Sequence, residues 1–171
     1  MKIDSIDSPR LIIRSLERED AYRAYQIRND PEMGEYLPDE AKEDVDMAYI
    51  KELEELENDE ECAYLIPISK LTRKRVGTCS FLLTDGGSTY DIAYCIHKSL
   101  WNKGYATEIA QALISYARKK GASKVSIIVN QDNIASRRVA EKCSGKIVRE
   151  DTFIKKGSGE IKKTYKYEIK L

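Results

Sequence analysis

The chain of 171 residues is long enough for one domain, and its 34% charged and 42% hydrophobic residues are typical of a globular protein. Its 29 Lys and Arg residues balance its 29 Asp and Glu residues, which excludes a bulk electrostatic attraction to nucleic acid or membranes. No N-terminal apolar segment and no run of about 18 apolar residues is present, so we expect a single cytoplasmic domain over residues 1–171 without a membrane span.

The first third of the chain predicts one strand and two helices. The strand spans residues 10–16, and the first helix spans 17–29, where Asp30-Pro31 ends it. The second helix spans residues 44–58, because apolar residues recur there every three or four positions.

The middle of the chain reads as β-structure. Strands are predicted over residues 62–68, 75–83 and 90–96, each rich in β-branched or aromatic residues. Residues 84–88, Thr-Asp-Gly-Gly-Ser, form a hairpin-type turn between the second and third of them.

Helices and strands alternate in the last third. Gly121 is the expected stop of a long amphipathic helix. The predicted elements are a helix over 106–120, a short buried strand over 125–129, a helix over 133–143, and two strands over 146–154 and 163–170. This order predicts an α/β domain of the mixed α+β kind, with helices on both faces of a mixed sheet.

A glycine-bearing loop joins the strand over 90–96 to the helix over 106–120. Its sequence, Trp-Asn-Lys-Gly-Tyr-Ala-Thr-Glu over residues 101–108, matches neither the P-loop nor the Rossmann fingerprint. The first N–H groups of a helix have no internal partner, and Gly104 lets backbone approach a phosphate without a Cβ between them. The loop is therefore a candidate pyrophosphate site, although Gly104 on its own is equally compatible with a simple turn.

A second motif follows the strand over 125–129. Together the two motifs resemble the GNAT N-acetyltransferases, and most closely the branch of ribosomal-protein N-terminal acetyltransferases (RimJ/RimL-like), over most of the chain. The matching residues are Ile96-His97, Trp101, Lys103-Gly104-Tyr105-Ala106-Thr107-Glu108, Asn133, Ser136, Arg138-Val139 and Glu141-Lys142.

The resemblance implies a mostly antiparallel sheet of six to seven strands whose two central strands splay apart. It implies acetyl-CoA as co-substrate, with the pantetheine arm between the splayed strands and the pyrophosphate on the loop amides. An additional donor would be the Thr107 hydroxyl. The residues that would bind acetyl-CoA are Tyr94, Cys95, Ile96, Trp101, Asn102, Lys103, Gly104, Tyr105, Ala106, Thr107, Asn133 and Ser136. Asn133 has an alternative role as a helix N-cap.

The chain departs from the family pattern at several positions. Asn102 stands where the branch often has glycine, and asparagine tolerates positive φ well enough for the loop to form. Ser144-Gly145 replaces the usual Gly-Phe. Ala140 occupies the place of the tyrosine that protonates the leaving thiolate in many relatives, so the general acid needs another candidate.

Three residues are candidates for proton transfer. Ser136 is the best candidate for the general acid, by resemblance to the branch; it is equally plausible as a capping serine. Glu150 and Asp91 are candidates for the general base, directly or through water, and each also reads as a solvated strand charge.

Cysteine usage predicts neither a metal site nor a covalent nucleophile. None of the four cysteines forms a C-x-x-C pair, and the single histidine, His97, has no second ligand nearby. We expect reduced thiols that behave as small hydrophobes.

The acceptor is expected to be an amine, either a peptide N-terminus or a small cationic molecule. Residues 40–61 are strongly acidic, which suits a wall facing a cationic acceptor and equally an ordinary solvated helix face. Tyr22, Tyr25, Tyr36 and Tyr49 either line the same pocket or pack. A non-catalytic acyl-CoA-binding module is the alternative function, and a homodimer is possible.

Overall fold

The computed structural model describes residues 1–37 and 59–171. Eight strands lie within them: β1 (Ile6–Asp7), β2 (Leu11–Ser15), β3 (Cys62–Ser69), β4 (Gly77–Thr84), β5 (Thr89–Ile96), β6 (Lys124–Asn130), β7 (Lys146–Ile154) and β8 (Ile161–Lys170). They form one sheet in the order β1-β2-β3-β4-β5-β6-β8-β7. Only β5 and β6 pair in parallel among these neighbours.

Three α-helices accompany the sheet in the described part of the chain. They are α1 (Ala21–Asn29), α2 (Tyr105–Lys119) and α3 (Ile134–Lys142), and short 3-10 turns lie at Arg18–Asp20, Asp85–Gly87 and Lys98–Leu100. Within the described ranges, no helix is long and apolar enough to cross a membrane.

The helices lie on both faces of the sheet. The ring of Tyr90 on β5 contacts the ring of Tyr116 on α2, with centroids 6.4 Å apart. Cys95, five residues further along β5, points to the other face, where its thiol lies 3.6 Å from the carbonyl of Met33, just after α1. Side chains of a strand alternate between faces, so even-numbered β5 residues face α2 and α3, and odd-numbered ones face the α1 side.

The predicted fold class is confirmed, with differences in detail. The sheet has eight strands rather than six to seven, because the two-residue strand β1 extends its edge. The helix predicted over residues 44–58 lies outside the described residues. The hairpin-type turn after β4 is confirmed as the 3-10 turn Asp85–Gly87.

A buried carboxylate ties the N-terminal part of the sheet together. Asp20 is fully buried, and its two oxygens bind Arg14 of β2 and Arg75 before β4, each at 2.6 Å. Asp20 also accepts a hydrogen bond from the Glu17 amide at 3.0 Å. Burial opposes ionisation, but hydrogen bonds from Arg14, the Glu17 amide and Arg75 outweigh it and lower the pKa of Asp20.

Candidate active site

Strands β5 and β6 diverge after three paired positions. Their parallel register ends where Asp91 lies opposite Ser126. Beyond that point β5 continues to Ile96 against β4, and β6 continues to Asn130 against β8. The result is a V-shaped gap between two central strands, which confirms the predicted splay.

The backbone groups of β5 that face this gap come from alternate residues. The Cys95 carbonyl points toward β4, since a Cβ built on Gly77 would lie 2.2 Å from that oxygen. Successive residues of a strand direct their N–H and C=O groups to opposite edges. The amides of Tyr94 and Ile96 therefore face the gap, whereas the Cys95 amide faces β4. Of the two neighbouring amides of Tyr94 and Cys95, only the Tyr94 amide is therefore available to a group bound in the gap.

The loop from His97 to Gly104 joins β5 to α2 and uses left-handed backbone at two positions. The φ angle is +60° at Asn102 and +78° at Gly104. Asn102 thus adopts the positive φ expected of it from the sequence, and Gly104 does so without a steric cost. Gly104 is also the residue that begins α2, as its N-cap.

A row of free amides follows from this geometry. The first intrahelical bond of α2 joins the Glu108 amide to the Gly104 carbonyl at 3.1 Å, so the three preceding helical amides lie outside the ladder. In the part of the chain that the structure describes, the amides of residues 102–107 have no hydrogen-bond partner. Such N–H groups, together with the positive end of the helix dipole, bind anions.

Trp101 supports the loop and does not contribute to this row. Its amide donates to the Lys98 carbonyl at 3.1 Å, inside the preceding turn. Its indole N–H donates to the Ile96 carbonyl at 2.8 Å and so fixes the loop to the end of β5. Because the Trp101 amide already has a partner within the loop, the row of free amides begins at residue 102, and a contact of Trp101 with acetyl-CoA stays a prediction.

An arginine from the N-terminal segment fastens the loop to the start of α2. The Arg10 side chain places Nε 2.6 Å from Glu108 Oε2, and its Nη1 donates to the Lys103 carbonyl at 2.9 Å. Its guanidinium also lies 4.2 Å from the centre of the Tyr105 ring. The Ser8 hydroxyl and the Arg10 amide each donate to Glu108 Oε1 at 2.7 Å.

The Glu108 carboxylate is ionised in this setting. Burial opposes its charge, but hydrogen bonds from the Arg10 amide, the Ser8 hydroxyl and the Arg10 side chain lower its pKa. Sequence reasoning did not find this contact. A carboxylate in the first turn of a helix is already favoured by the helix dipole, so the motif alone gave no signal of a partner 98 positions away.

The N-terminus of α3 brings three of the predicted residues together. Asn133 is the N-cap, and its side-chain oxygen accepts the Ser136 amide at 2.9 Å, which confirms the capping role. The Ser136 hydroxyl lies 2.9 Å from the Tyr94 hydroxyl of β5. With the Asn133 oxygen occupied, its amide nitrogen is the group that remains for a pantetheine contact, which stays a prediction.

The structure gives a backbone reason for the departure at Ser144-Gly145, whereas it shows Ala140 only as a small buried residue. Ala140 is fully buried on α3. A Cβ on Gly145 would lie 2.8 Å from the Ala140 carbonyl oxygen, so a phenylalanine at this place would force the backbone to shift. Ser144 takes the left-handed conformation, with φ of +64°, that ends the helix.

The first candidate base, Asp91, lies at the vertex of the gap. Its Oδ1 is buried without a hydrogen-bond partner among residues 1–37 and 59–171, and it is 3.7 Å from the Lys166 ammonium. Tyr94 is three residues further along β5, or about 10 Å. A proton reaching Asp91 from the middle of the gap would have to travel through water.

The second candidate base, Glu150, lies on the edge strand β7. Two strand spacings, about 10 Å, separate β7 from β6 in the sheet. Glu150 accepts from the Gln131 side chain at 3.4 Å. The structure therefore does not bring Glu150 to the gap, and it places the two candidate carboxylates on different sides of β6.

A segment after α1 bridges the open end of the gap on the face opposite α2 and α3. Its Met33 carbonyl lies 3.6 Å from the Cys95 thiol of β5. Its Tyr36 carbonyl accepts from the Asn130 side chain of β6 at 3.1 Å. Residues 30–37, here called the bridging segment, thus cover the α1 side of the gap between the two diverging strands.

The tyrosines predicted to line the acceptor pocket have different positions. Tyr25 is buried, Tyr22 is 63% exposed, and Tyr36 lies in the bridging segment. Tyr49 and most of the acidic stretch 40–61 lie outside the described residues.

The thiols are unsuited to nucleophilic chemistry. All four cysteines are free, and burial raises the pKa of Cys95 to about 11. Burial likewise raises the pKa of Cys143. Neither thiol is ionised near neutral pH. The described part of the chain contains no group of three or more His, Cys, Asp or Glu side chains that could hold a metal ion.

This arrangement matches a known family. The family model described as "Acetyltransferase (GNAT) domain" matches residues 10–146. The chain belongs to the GNAT acetyltransferase family. These enzymes use acetyl-CoA as the acyl donor, and the row of free amides beside an open strand gap is chemically suited to its pyrophosphate and its pantetheine arm.

Other proteins are similar to this acetyltransferase in sequence, or in fold alone. "Uncharacterized N-acetyltransferase YnaD" of Bacillus subtilis is 27% identical over 152 residues, which cover 88% of this chain and 86% of the relative. RimJ of Mycobacterium smegmatis, solved in complex with CoA-disulfide, shares the fold with a TM-score of 0.82 at 15% identity, covering 98% of this chain and 88% of that one. Spermidine N-acetyltransferase of Vibrio cholerae, in complex with CoA and spermine, superposes with a TM-score of 0.80 at 17% identity, covering 94% and 95% of the two chains.

Proposed function

We propose that this GNAT enzyme transfers an acetyl group from acetyl-CoA to a primary amine by direct attack while both substrates are bound. The proposal rests on one observation, which is that the gap between β5 and β6 is continuous with the loop of free amides. The V-shaped gap between β5 and β6 leads along Ile96 into the loop whose amides, over residues 102–107, have no partner in the described part of the chain.

The binding roles follow from where the free groups point. The amides of residues 102–107 and the Thr107 hydroxyl would hold the pyrophosphate. The Tyr94 and Ile96 backbone and the Asn133 amide nitrogen would hold the pantetheine arm. Acetyl-CoA supplies an activated acyl group on a thiol that leaves readily. The Tyr94 amide would donate to the acyl oxygen, where negative charge develops during attack.

Proton transfer divides between the two sides of the gap. Ser136, in the first turn of α3, is the donor that we assign to the departing sulfur, and the positive end of the helix favours charge there. The amine must lose a proton to attack. Since neither Asp91 nor Glu150 lies beside Tyr94, water relays that proton, with Asp91 at the vertex as its nearer carboxylate acceptor.

The acceptor that we propose is a cationic amine, either a small polyamine-like molecule or a peptide N-terminus. Support comes from the bridging segment, whose acidic residues Asp30, Glu32 and Glu35 border the α1 side of the gap. Asp30 and Glu32 are partly neutralised by Lys98, at 2.8 and 3.4 Å. The relative solved with spermine supports the same class by analogy of fold alone.

Release of CoA thiol with a panel of amines tests this function. The panel would contain spermidine, a peptide with a free N-terminus, the same peptide with a blocked N-terminus, and a neutral alcohol. We expect thiol release with one or both free amines and none with the blocked peptide or the alcohol. Tight binding of acetyl-CoA without release on any amine would favour the alternative, a non-catalytic acyl-CoA-binding module.

A further inference from the structure

A hydrogen bond between Tyr94 and Ser136 joins the diverging strand β5 to helix α3. The two hydroxyl oxygens are 2.9 Å apart, and the Tyr94 hydroxyl also lies 3.5 Å from the Ser136 carbonyl oxygen. Tyr94 shares its face of β5 with Ile92 and Ile96, which are both buried on the side of α2 and α3. Its side chain therefore lies on the side of the sheet that carries the loop of free amides.

Ser136 is held from two directions. Its amide is bound by the Asn133 cap at 2.9 Å, and its hydroxyl is bound by Tyr94. One turn later on the same helix stands Ala140, fully buried, where a tyrosine hydroxyl is absent. The phenol of Tyr94 thus approaches, from the neighbouring strand, the helix that lacks a phenol of its own.

We propose that Tyr94 is a positioning residue that orients the Ser136 hydroxyl toward the departing sulfur and restores its proton. The inference rests on the proposed function. A phenol is a stronger acid than an aliphatic alcohol, so in the acting geometry Tyr94 donates to Ser136 Oγ. That bond leaves the Ser136 hydrogen free to point into the gap.

The amine nitrogen forms a bond to the acyl carbon, the carbon–sulfur bond breaks, and its electron pair remains on sulfur. Sulfur takes the Ser136 proton, Ser136 Oγ takes the Tyr94 proton, and water returns a proton to Tyr94. The amine proton leaves to water, so the products are an amide and a free thiol.

The environment of Tyr94 supports this role. Burial raises the pKa of Tyr94 to about 12, although the bond to Ser136 acts in the opposite direction. The phenol consequently stays protonated throughout the neutral range and is always available as a donor. The partial positive charge at the start of α3 stabilises the oxygen of Ser136 while its proton is in transfer.

A double-mutant cycle tests the inference. We expect Ser136→Ala to lower kcat about 100-fold and Tyr94→Phe about 10-fold. The double variant should be no slower than Ser136→Ala, because the Tyr94 hydroxyl acts only through Ser136 and the Tyr94 backbone amide is unchanged in Tyr94→Phe. The KM for acetyl-CoA should stay within about twofold in each variant. Tyr90→Phe is the matched control, because Tyr90 is a buried tyrosine on the same face of β5 whose ring packs against Phe81 and Tyr116. This variant should keep the wild-type kcat.

Other outcomes would overturn the inference. A wild-type kcat in Tyr94→Phe, multiplicative losses in the double variant, or a change confined to KM would each show that Tyr94 only packs. Thermal unfolding shows whether Tyr94→Phe folds. If it does not, Tyr94→His supplies a ring N–H donor, and a kcat equal to that of Tyr94→Leu would count equally against the inference. Absence of thiol release by the wild-type enzyme with every amine would instead remove the proposed function itself.

Discussion

The Arg10 guanidinium and the Glu108 carboxylate meet at 2.6 Å, one from the N-terminal segment and one from the first turn of α2. This contact adjoins the loop whose amides are free to hold a pyrophosphate, and Arg10 also donates to the Lys103 carbonyl of that loop. The pair therefore supports the shape of the anion site from outside it.

Arg10→Ala should weaken acetyl-CoA binding while leaving kcat nearly unchanged. Because Arg10 is partly exposed, we expect only a three- to tenfold rise in Kd, or about 1 kcal/mol. Isothermal titration with acetyl-CoA measures it. Arg118→Ala, near the end of α2 and far from the loop, is the control. An unchanged Kd in Arg10→Ala would show that the loop keeps its shape without this contact.

Gly104→Ala isolates the need for left-handed backbone at the loop. Space is available, since an added Cβ would meet only Arg10 Nη2 at 3.6 Å, but φ is +78°. We expect a stability loss of about 1 kcal/mol from strain, together with weaker acetyl-CoA binding because the amide row moves.

Gly121→Ala provides the matched control for that variant. Gly121 has φ of +83° with nothing within 4 Å of an added Cβ, and it ends α2 at the opposite extremity. Alanine at Gly121 would therefore carry the same backbone strain as alanine at Gly104, but Gly121 lies far from the loop of free amides. Denaturation midpoints should therefore fall alike in the two variants, whereas the Kd for acetyl-CoA should rise in Gly104→Ala alone. Equal affinities would argue against the amide row as the binding site.

Acid should weaken the fold through Asp20. Its pKa is lowered in the folded state, so its contribution is fully present above the unfolded value of about 3.9 and is lost as pH falls through the folded value. Asp20→Asn should cost about 1–3 kcal/mol near neutral pH. Its unfolding free energy should also fall less steeply than that of the wild type below about pH 4.

Urea unfolding at several pH values measures both effects. Glu19→Gln is the control, because Glu19 binds the same Arg14 and Arg75 but is 67% exposed. It should change stability by less than about 0.5 kcal/mol. A parallel pH dependence in the wild type and Asp20→Asn would mean that another group governs acid sensitivity.

The transfer should proceed without an acyl-enzyme. The pKa of Cys95 is about 11, so the thiol nearest the gap is not a nucleophile near pH 7. Mass spectrometry of the enzyme incubated with acetyl-CoA alone should show no acetylated cysteine. Initial rates at varied acetyl-CoA and amine should give intersecting rather than parallel reciprocal plots. Parallel plots would indicate a covalent intermediate.

Much of the fold is readable from local sequence. The strand from Thr89 to Ile96 and the helix from Tyr105 to Lys119 were predicted within one residue at each end, because strong periodicity and Gly121 mark them. Asn102 was predictable for a similar reason, since few other residues tolerate positive φ. The edge strand β1 was not predictable, because a strand of two residues is too short to show an alternating pattern.

Contacts between distant parts of the chain were not readable in the same way. Arg10 and Glu108 are separated by 98 positions, and Tyr94 and Ser136 by 42. Only the sheet order brings each pair together. Conversely, two parts that are near in sequence can lie apart in space. Glu150 follows the last helix closely in sequence, but its strand β7 lies two strands away from the gap. Predicting which side chains meet therefore required the order of strands in the sheet, whereas the loop of free backbone amides could be predicted from the motif alone.

Thermal unfolding with acetyl-CoA, and with ADP as a comparison, tests most directly whether the gap and the loop together hold the donor. At 100 times its Kd, acetyl-CoA should stabilise the folded protein by about 2.7 kcal/mol. For a chain of this size, that is a rise in Tm of about 5–11 °C. We expect this rise with acetyl-CoA and a much smaller one with ADP, which lacks the pantetheine arm. No rise at millimolar acetyl-CoA, or equal rises with both ligands, would contradict it.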